Sequence, residues 1–219
     1  MTISISYRNV QPSDAERLVD LELRCFPTTD PEDLLSVEGV LMQCERFPEG
    51  GHVALDREVI VGFSMGCFVD FDFENPQHHI DDVVGELGSD KHDPNGAWYY
   101  GTDIAVLPNY RGNGIGRRLY DLRKDLVRRE NRAGIVAGGV IPGYADHKHL
   151  MSADEYVAKV VAGELFDPTL SFQIANGFEA RCALAGYMRD EAVDNWAALI
   201  VWKNPEHDAE KFSMHKRSA

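Results

Sequence analysis

The stretch from residue 97 to residue 141 constrains this chain more than any other. It reads as an apolar strand, "AWYYGTDIAVL", a glycine-rich turn, "PNYRGNGIG", an amphipathic helix, "IGRRLYDLRKDLVRREN", and a second apolar strand, "AGIVAGGVI". Strand, helix and strand in that order predict a crossover that lays two parallel strands in one sheet and packs the helix against it. The glycine turn then falls between the first strand and the helix.

The flanking segments extend the pattern into a mixed α/β (α+β) fold. "SISYRNV" alternates like a strand, and "QPSDAERLVDLELRCF" reads as a helix with Ser13 and Glu16 as its capping box. "PEDLLSVEGVLMQCERFP" predicts a helix entered at a proline, and "GHVALDREVIVGFSMGCFVDF" two strands around a turn at Asp56 and Arg57. Residues 70–96 are acidic and rich in turn formers, so an ordered loop or a short helix is expected there.

Residues 142–168 read as an irregular insertion whose short helix, "SADEYVAKVVAGEL", starts at Ser152 with Glu155 completing a capping box. "DPTLSFQIANGF" predicts a last helix stopped at Asn176-Gly177, followed by strands around "EARCALAGYM" and "NWAALIVWKN". Residues 1–204 are thus read as one domain with insertions at 70–96 and 142–168, and 205–219 as a frayed C-terminal tail.

Composition narrows the function. The chain has 219 residues, 44% of them apolar, which is enough for a sizeable core. A net charge of -14 argues against a nucleic-acid partner, because phosphate backbones are held by clustered Lys and Arg. Cys25, Cys44, Cys67 and Cys182 are scattered without a C-x-x-C pair and are expected to be reduced, buried thiols. "MTISISYRNV" has no signal-peptide pattern, and no apolar run approaches membrane length, so a cytoplasmic protein with no membrane contact is expected.

What the glycine turn holds can be narrowed by spacing. The Walker pattern is absent, and the dinucleotide fingerprint would need glycine where Arg117 stands. The pattern [QR]-x-x-G-x-[GA] is met by Arg111, Gly114 and Gly116. Side-chain-free residues at a helix entrance let backbone N–H groups approach an anion, and the helix terminus adds partial positive charge, which suits a pyrophosphate. From Arg111 to Arg132 there are eight Lys or Arg against three acids, net +5, which leaves the rest of the chain at -19. Most of the basic residues from Arg123 to Arg132 are read as a solvated face, with Ile115, Leu119, Leu122 and Leu126 turned to the core.

"IAVLPNYRGNGIGRRLYDLRKD" resembles motif A of the GCN5-related N-acetyltransferase (GNAT) superfamily, and "DPTLSFQIANGFE", with Gly177-Phe178, resembles its motif B. The resemblance implies a central twisted mixed sheet of about seven strands, with the fourth and fifth splayed and helices flanking it. It places Arg111, Gly112, Gly114, Ile115, Gly116 and Arg117 at the pyrophosphate of acetyl-CoA, and Ile104, Ala105 and Val106 along its pantetheine arm. It also implies an oxyanion-binding backbone N–H near Val106. "GGVIPGY", the 142–168 insertion and "WAALIVWKNP" are similar to the acetyltransferase domain that some proteins carry fused to a carbon–nitrogen hydrolase.

The catalytic residues are less clearly marked. The family's usual acid is a tyrosine four residues before the G-F glycine, and this chain has Gln173 there. Tyr144 and Tyr156 of the insertion are the candidates for a substitute acid, with packing as the alternative for each. Asp103 is the candidate base, three residues before Val106; the alternative is that it bonds a neighbouring backbone group at a strand bulge. Glu164 and Asp167 are secondary candidates that also suit a helix cap.

The histidines at 78, 79, 147 and 149 lack the helical spacing of a zinc site and are read as solvated loop residues, so no metal is expected. The loop at 70–96 carries eight carboxylates against Lys91, which either steer a cationic amine or serve as soluble surface. The expectation is an acetyl-CoA-dependent N-acetyltransferase acting on a primary amine of a small molecule, a lysine or an N-terminus. Its alternative is a non-catalytic acyl-CoA binding or sensing domain, and a homodimer is the assembly to test for.

Overall fold

The computed structural model describes residues 4–218, and side chains as far as Met214. Residues 1–3 of the N-terminal stretch and Ala219 of the tail lie outside the described residues. The strands are β1 (Ile5–Asn9), β2 (His52–Asp56), β3 (Val59–Val69), β4 (Trp98–Val106), β5 (Gly134–Val140), β6 (Glu179–Leu184) and β7 (Ala197–Lys203). The helices are α1 (Ala15–Cys25), α2 (Val37–Arg46), α3 (Ile80–Val84), α4 (Ile115–Arg129), α5 (Ala153–Val161), α6 (Leu170–Ala175) and α7 (Ala209–Ser218).

The strands form one sheet in the order β1-β2-β3-β4-β5-β7-β6. Only β4 and β5 run parallel, as the crossover requires. Their pairing covers Trp98 to Tyr100 against Gly134 to Val136 and then stops. Beyond it β4 keeps only β3 and β5 keeps only β7, so the sheet splits into two arms from Gly101 and Ala137 onward. A bulge adds to the divergence. Gly66 faces Gly101 and Met65 faces Asp103, which leaves Thr102 without an opposite residue on β3.

The two faces of the sheet are buried differently. Tyr99, Ile135, Ala137 and Ile200 pack with Tyr120, Leu126 and Val127 of α4. Tyr100, Val136, Leu199 and Val201 pack on the opposite face with Val84 of α3 and Tyr187. At the other end, α1, α2 and the start of α4 enclose Val53, Phe63 and Ala105.

Several local expectations change. The box at the start of α1 is built on Asp14 rather than Ser13, because the buried Asp14 carboxylate accepts the Gln11 N–H at 2.9 Å and also binds Arg8 and Arg17. Pro31 heads a separate 3₁₀ turn, Pro31–Asp33, and α2 starts later, where Ser36 Oγ accepts the Gly39 N–H at 3.0 Å. Segment 70–96 is held by its own acids: Asp72, Asp82, Asp90 and Asp93 each accept a backbone N–H within three residues. The tail is not frayed throughout. Asp208 accepts the Lys211 N–H at 3.0 Å at the head of α7, and Asn131 bonds both the N–H and the carbonyl of Asp208.

Candidate active site

The turn between β4 and α4 is shaped by two left-handed glycines, Gly112 at φ 79° and Gly114 at φ 77°. A side chain at either would be strained. The space around both is open, since a Cβ at either would meet nothing within 4 Å. Backbone N–H groups from Gly112 to Arg117 find no acceptor among the described residues; bonding resumes with the Arg118 N–H to the Gly114 carbonyl at 3.0 Å. Arg111 is folded back, its Nε donating to the Val106 carbonyl at 3.0 Å. The result is an unfilled ring of donors at the N-terminus of a helix spanning 15 residues, a site built for an anion.

From this turn the gap between the arms leads back along β4. Ile104, Ala105 and Val106 lie beyond the last β4–β5 pair, on the stretch of β4 that faces no strand on the β5 side, and main-chain groups of Ile104 and Val106 alternate towards the gap while those of Ala105 pair with Phe63 of β3. At the throat, two side chains press on adjacent glycines of β5 from opposite faces. Gln173 from α6 packs on Gly139, where a Cβ would come 2.5 Å from its Nε2, and Tyr187 packs on Gly138, where a Cβ would come 2.3 Å from its ring. Gln173 is therefore a buried amide at the throat, and the opposite face holds a tyrosine.

The Tyr187 face is roofed by three segments. The α1–α2 connection joins the β6–β7 connection through the Asp30 N–H to the Arg189 carbonyl at 2.8 Å, Thr28 Oγ1 to Asp190 at 3.0 Å, and an ion pair of Arg189 with Asp33. Segment 70–96 is tied in by the Ile80 N–H to the Tyr187 carbonyl at 3.0 Å and by Gln77 bonding Ala183 and Ala185.

Asp103 lies on this same face, half-buried at the bulge. Thr102 Oγ1 donates to its carboxylate, and Arg123 donates to its carbonyl and, at 2.7 Å, to the Met65 carbonyl across the bulge. The bulge expected at Asp103 is present, but the carboxylate bonds the Thr102 hydroxyl rather than a backbone group, and it faces a second carboxyl, Glu22 of α1. Glu22 is 2% exposed and accepts the Leu35 N–H. Burial pushes the Glu22 carboxyl well above the usual carboxylate range, and neighbouring Asp103 pushes it the same way.

Sequence reading missed Glu22, although a signal was there: it shares one helical face with Leu18, Leu21 and Cys25. Arg123 and Arg132 correct the reading of a solvated basic face. Arg123 is 2% exposed beneath the bulge, and the buried Arg132 donates to Gly96 and Pro94 carbonyls with its guanidinium 4.3 Å from the Phe68 ring.

The insertion residues take structural roles. The Tyr144 hydroxyl donates to the Met151 carbonyl at 3.1 Å and its ring packs on Tyr156. The Tyr156 hydroxyl donates to Asp167 at 2.9 Å, and Asp167 caps α6 through the Thr169 and Leu170 N–H groups. His78 is not a solvated loop residue: its ring nitrogens meet the Pro76 carbonyl and the Tyr100 hydroxyl, each at 2.7 Å. Of the four cysteines, all free, Cys67 is fully buried and the others are half-buried.

Comparison with known proteins bears on this geometry. The model of the Acetyltransferase (GNAT) family matches residues 15–140, more than half of the chain. The chain belongs to the GNAT family. It is 34% identical over 213 residues to "Probable hydrolase YhcX" of Bacillus subtilis (strain 168), covering 97% of this chain and 41% of that relative. The chain thus spans about two fifths of that protein's length. It is 33% identical over 202 residues to "Uncharacterized N-acetyltransferase YkwB" of the same organism, covering 92% and 89%. Among solved structures, the GphF GNAT-like decarboxylase in complex with isobutyryl-CoA shares the fold, with a TM-score of 0.72 and 23% identity over 91% of this chain and 99% of that one. The seven-stranded mixed sheet, its splay after the β4–β5 pairing and the glycine turn before α4 are the expected parts of the family's fold. Among the described residues, no helix is long and apolar enough to cross a membrane.

Proposed function

We propose that this GNAT protein transfers an acetyl group from acetyl-CoA to a primary amine. The observation that carries the reading is the ring of unpaired N–H donors from Gly112 to Arg117, opening into the gap between β4 and β5. Gly112, Gly114, Ile115, Gly116 and Arg117 bind the pyrophosphate through backbone N–H groups, and Arg111 closes the turn behind them. Ile104, Ala105 and Val106 orient the pantetheine arm along the free β4 edge, with a β4 N–H near Val106 serving the developing oxyanion. The bound thioester supplies the activated acyl group.

Asp103, fixed at the bulge and backed by Glu22, attracts the ammonium form of the acceptor and takes up a proton from it. Segment 70–96 carries Asp81 near Tyr187, which favours a cationic acceptor, whether a small amine, a lysine or an N-terminus. Residues 1–204 act as one transferase domain in the cytoplasm, and a homodimer is the assembly to examine. The likeness to YhcX supports a role beside a hydrolase activity, as a partner or a further domain.

Calorimetric titration with acetyl-CoA and with CoA, comparing wild type with Gly114→Glu, tests the cradle; thiol release over an amine panel tests the transfer. Wild-type binding that Gly114→Glu weakens at least about tenfold, with amine-dependent release, is expected. Failure of wild type to bind would overturn the cofactor reading. Binding without release on any amine would favour the sensing domain, a reading that the buried amide Gln173 at the throat supports.

A further inference from the structure

On one face of β5, Gln173 packs on Gly139. The opposite face holds a continuous chain of titratable groups. The Tyr100 hydroxyl lies 3.1 Å from the Tyr187 hydroxyl and 2.7 Å from His78 Nε2, and His78 Nδ1 lies 2.7 Å from the Pro76 carbonyl. Tyr100 is the last β4 residue paired with β5, and the Tyr187 ring covers Gly138, just beyond the point where pairing stops. The Gly138 N–H faces both hydroxyls, which puts the pair at the mouth of the gap. Both tyrosines are fully buried, whereas His78 is half-buried and reaches the surface.

We propose that Tyr187, Tyr100 and His78 form a proton relay connecting the reaction cleft to solvent; it rests on the transferase reading above. The Pro76 carbonyl can only accept, so His78 Nδ1 carries a hydrogen and Nε2 is the acceptor in the neutral ring. The chain then runs from the Tyr187 O–H to the Tyr100 oxygen, and from the Tyr100 O–H to Nε2. A proton delivered to the Tyr187 oxygen shifts each bond by one step: Tyr187 passes its hydrogen to Tyr100, and Tyr100 passes its own to Nε2. The imidazolium then gives up its Nδ1 proton to solvent at the half-exposed edge of the ring, and rotation of the imidazole and the two hydroxyls restores the starting bonds, so both phenols stay neutral.

The balance of acyl transfer suits such a path. An ammonium acceptor loses two protons as it becomes an amide. The C–S bond breaks with its electron pair on sulfur, one proton ends on the thiol, and one leaves the site. Asp103 is the first acceptor and the relay carries that proton outward.

Burial holds the His78 imidazole below its ordinary value, so it is neutral and able to accept at neutral pH. It faces Asp82 and His79 from its own segment, Tyr100 from β4 and Tyr187 from the β6–β7 connection; Tyr187 in turn faces Asp103 and Asp81.

The test has two arms. Tyr187→Phe keeps the ring against His78 and removes only the hydroxyl, so NMR titration of the His78 imidazole, with and without CoA, reads the connection without turnover. A shift of about 0.3 pH unit or more in the midpoint is expected, and identical midpoints would overturn the relay. In the second arm, thiol release from acetyl-CoA with the best amine of the panel should show kcat lowered about tenfold or more in Tyr187→Phe and His78→Gln, with the KM for acetyl-CoA unchanged. His78→Gln should also lose the acid limb of the wild-type pH profile. A Tyr187→Phe kcat within about twofold of wild type would overturn the relay. If acetyl-CoA binds and no amine reacts, the transferase reading fails, and the His78 titration alone decides whether the chain is connected.

Discussion

A methyl group added at Gly138 would lie 2.3 Å from both Cε2 and Cζ of Tyr187. Carbon atoms in contact sit about 3.5–4.0 Å apart, so the ring must retreat by more than ~1 Å. It has little room, being 2% exposed and tied by its hydroxyl to Tyr100. Overpacking of this kind costs ~1–3 kcal/mol, and losing the hydroxyl bond adds ~0.5–1.5 kcal/mol. Replacing a strand glycine returns ~0.5–1 kcal/mol. Gly138→Ala should therefore destabilise by roughly 2 kcal/mol, and at ~2–4 °C per kcal/mol for a chain of this size the Tm should fall by roughly 4–8 °C.

Thermal and urea unfolding of Gly138→Ala, Tyr187→Leu and the double variant check the cause. Because the smaller side chain vacates the clash, the double variant should be at least about 1 kcal/mol more stable than the sum of the singles. Gly116→Ala is the comparison: its Cβ would lie 3.0 Å from Phe172, but that ring is 37% exposed and can swing aside, so the loss should stay below about 1 kcal/mol. Additive singles at Gly138 and Tyr187, within about 0.5 kcal/mol, would refute the contact as the reason for glycine at 138.

Tyr144→Phe should leave thiol release within about twofold of wild type and lower stability by about 1 kcal/mol, since its hydroxyl serves only the Met151 carbonyl; a tenfold loss of kcat would restore it as an acid. Asp167→Ala should cost about 3–5 kcal/mol in urea unfolding, because its buried carboxylate accepts from the Gly143, Thr169 and Leu170 N–H groups and the Tyr156 hydroxyl; a loss below about 1 kcal/mol would contradict that wiring. Burial, with the positive charge of Arg123, Arg129 and Arg118, pulls the His52 imidazole down to about 4. The unfolded chain binds that proton first, so stability contributed by neutral His52 is complete above about pH 6.5 and is lost as pH falls towards about 4, by roughly 3 kcal/mol. Urea midpoints for wild type should drop more steeply over that window than those of His52→Gln, and parallel profiles would refute the assignment.

Local signals were sufficient where one short segment carries its own physics. The 3.6-residue stripe of α4, the alternation of β1 and the Asn-Gly stop after α6 depend on neighbours a few residues away, and all appear where the sequence placed them. Capping was less readable. Ser13 lies inside a 3₁₀ turn, Pro12–Asp14, whose box is closed by the Asp14 carboxylate on the Gln11 N–H, and the same carboxylate binds Arg8 of β1, a contact outside the segment. The bridging roles of Arg123 and Arg132 were hidden for a similar reason, since a helix pattern shows which residues are charged but not which backbone carbonyls another strand leaves open beneath them.

Sequence by itself determined the crossover unit and the glycine turn, because these follow from periodicity and from the few residues that tolerate a left-handed backbone; the family was legible through the resemblance of its two motifs. Tertiary structure decided the chemistry of the cleft. Glu22 meets Asp103 only when α1 packs over the β4 bulge, and His78, Tyr100 and Tyr187 meet only when three connections close over one face of the splayed sheet. Their partners are 22 to 87 residues away along the chain, a separation over which no sequence pattern specifies contact, and burial in the assembled core is what raises the Glu22 carboxyl and lowers the His78 imidazole.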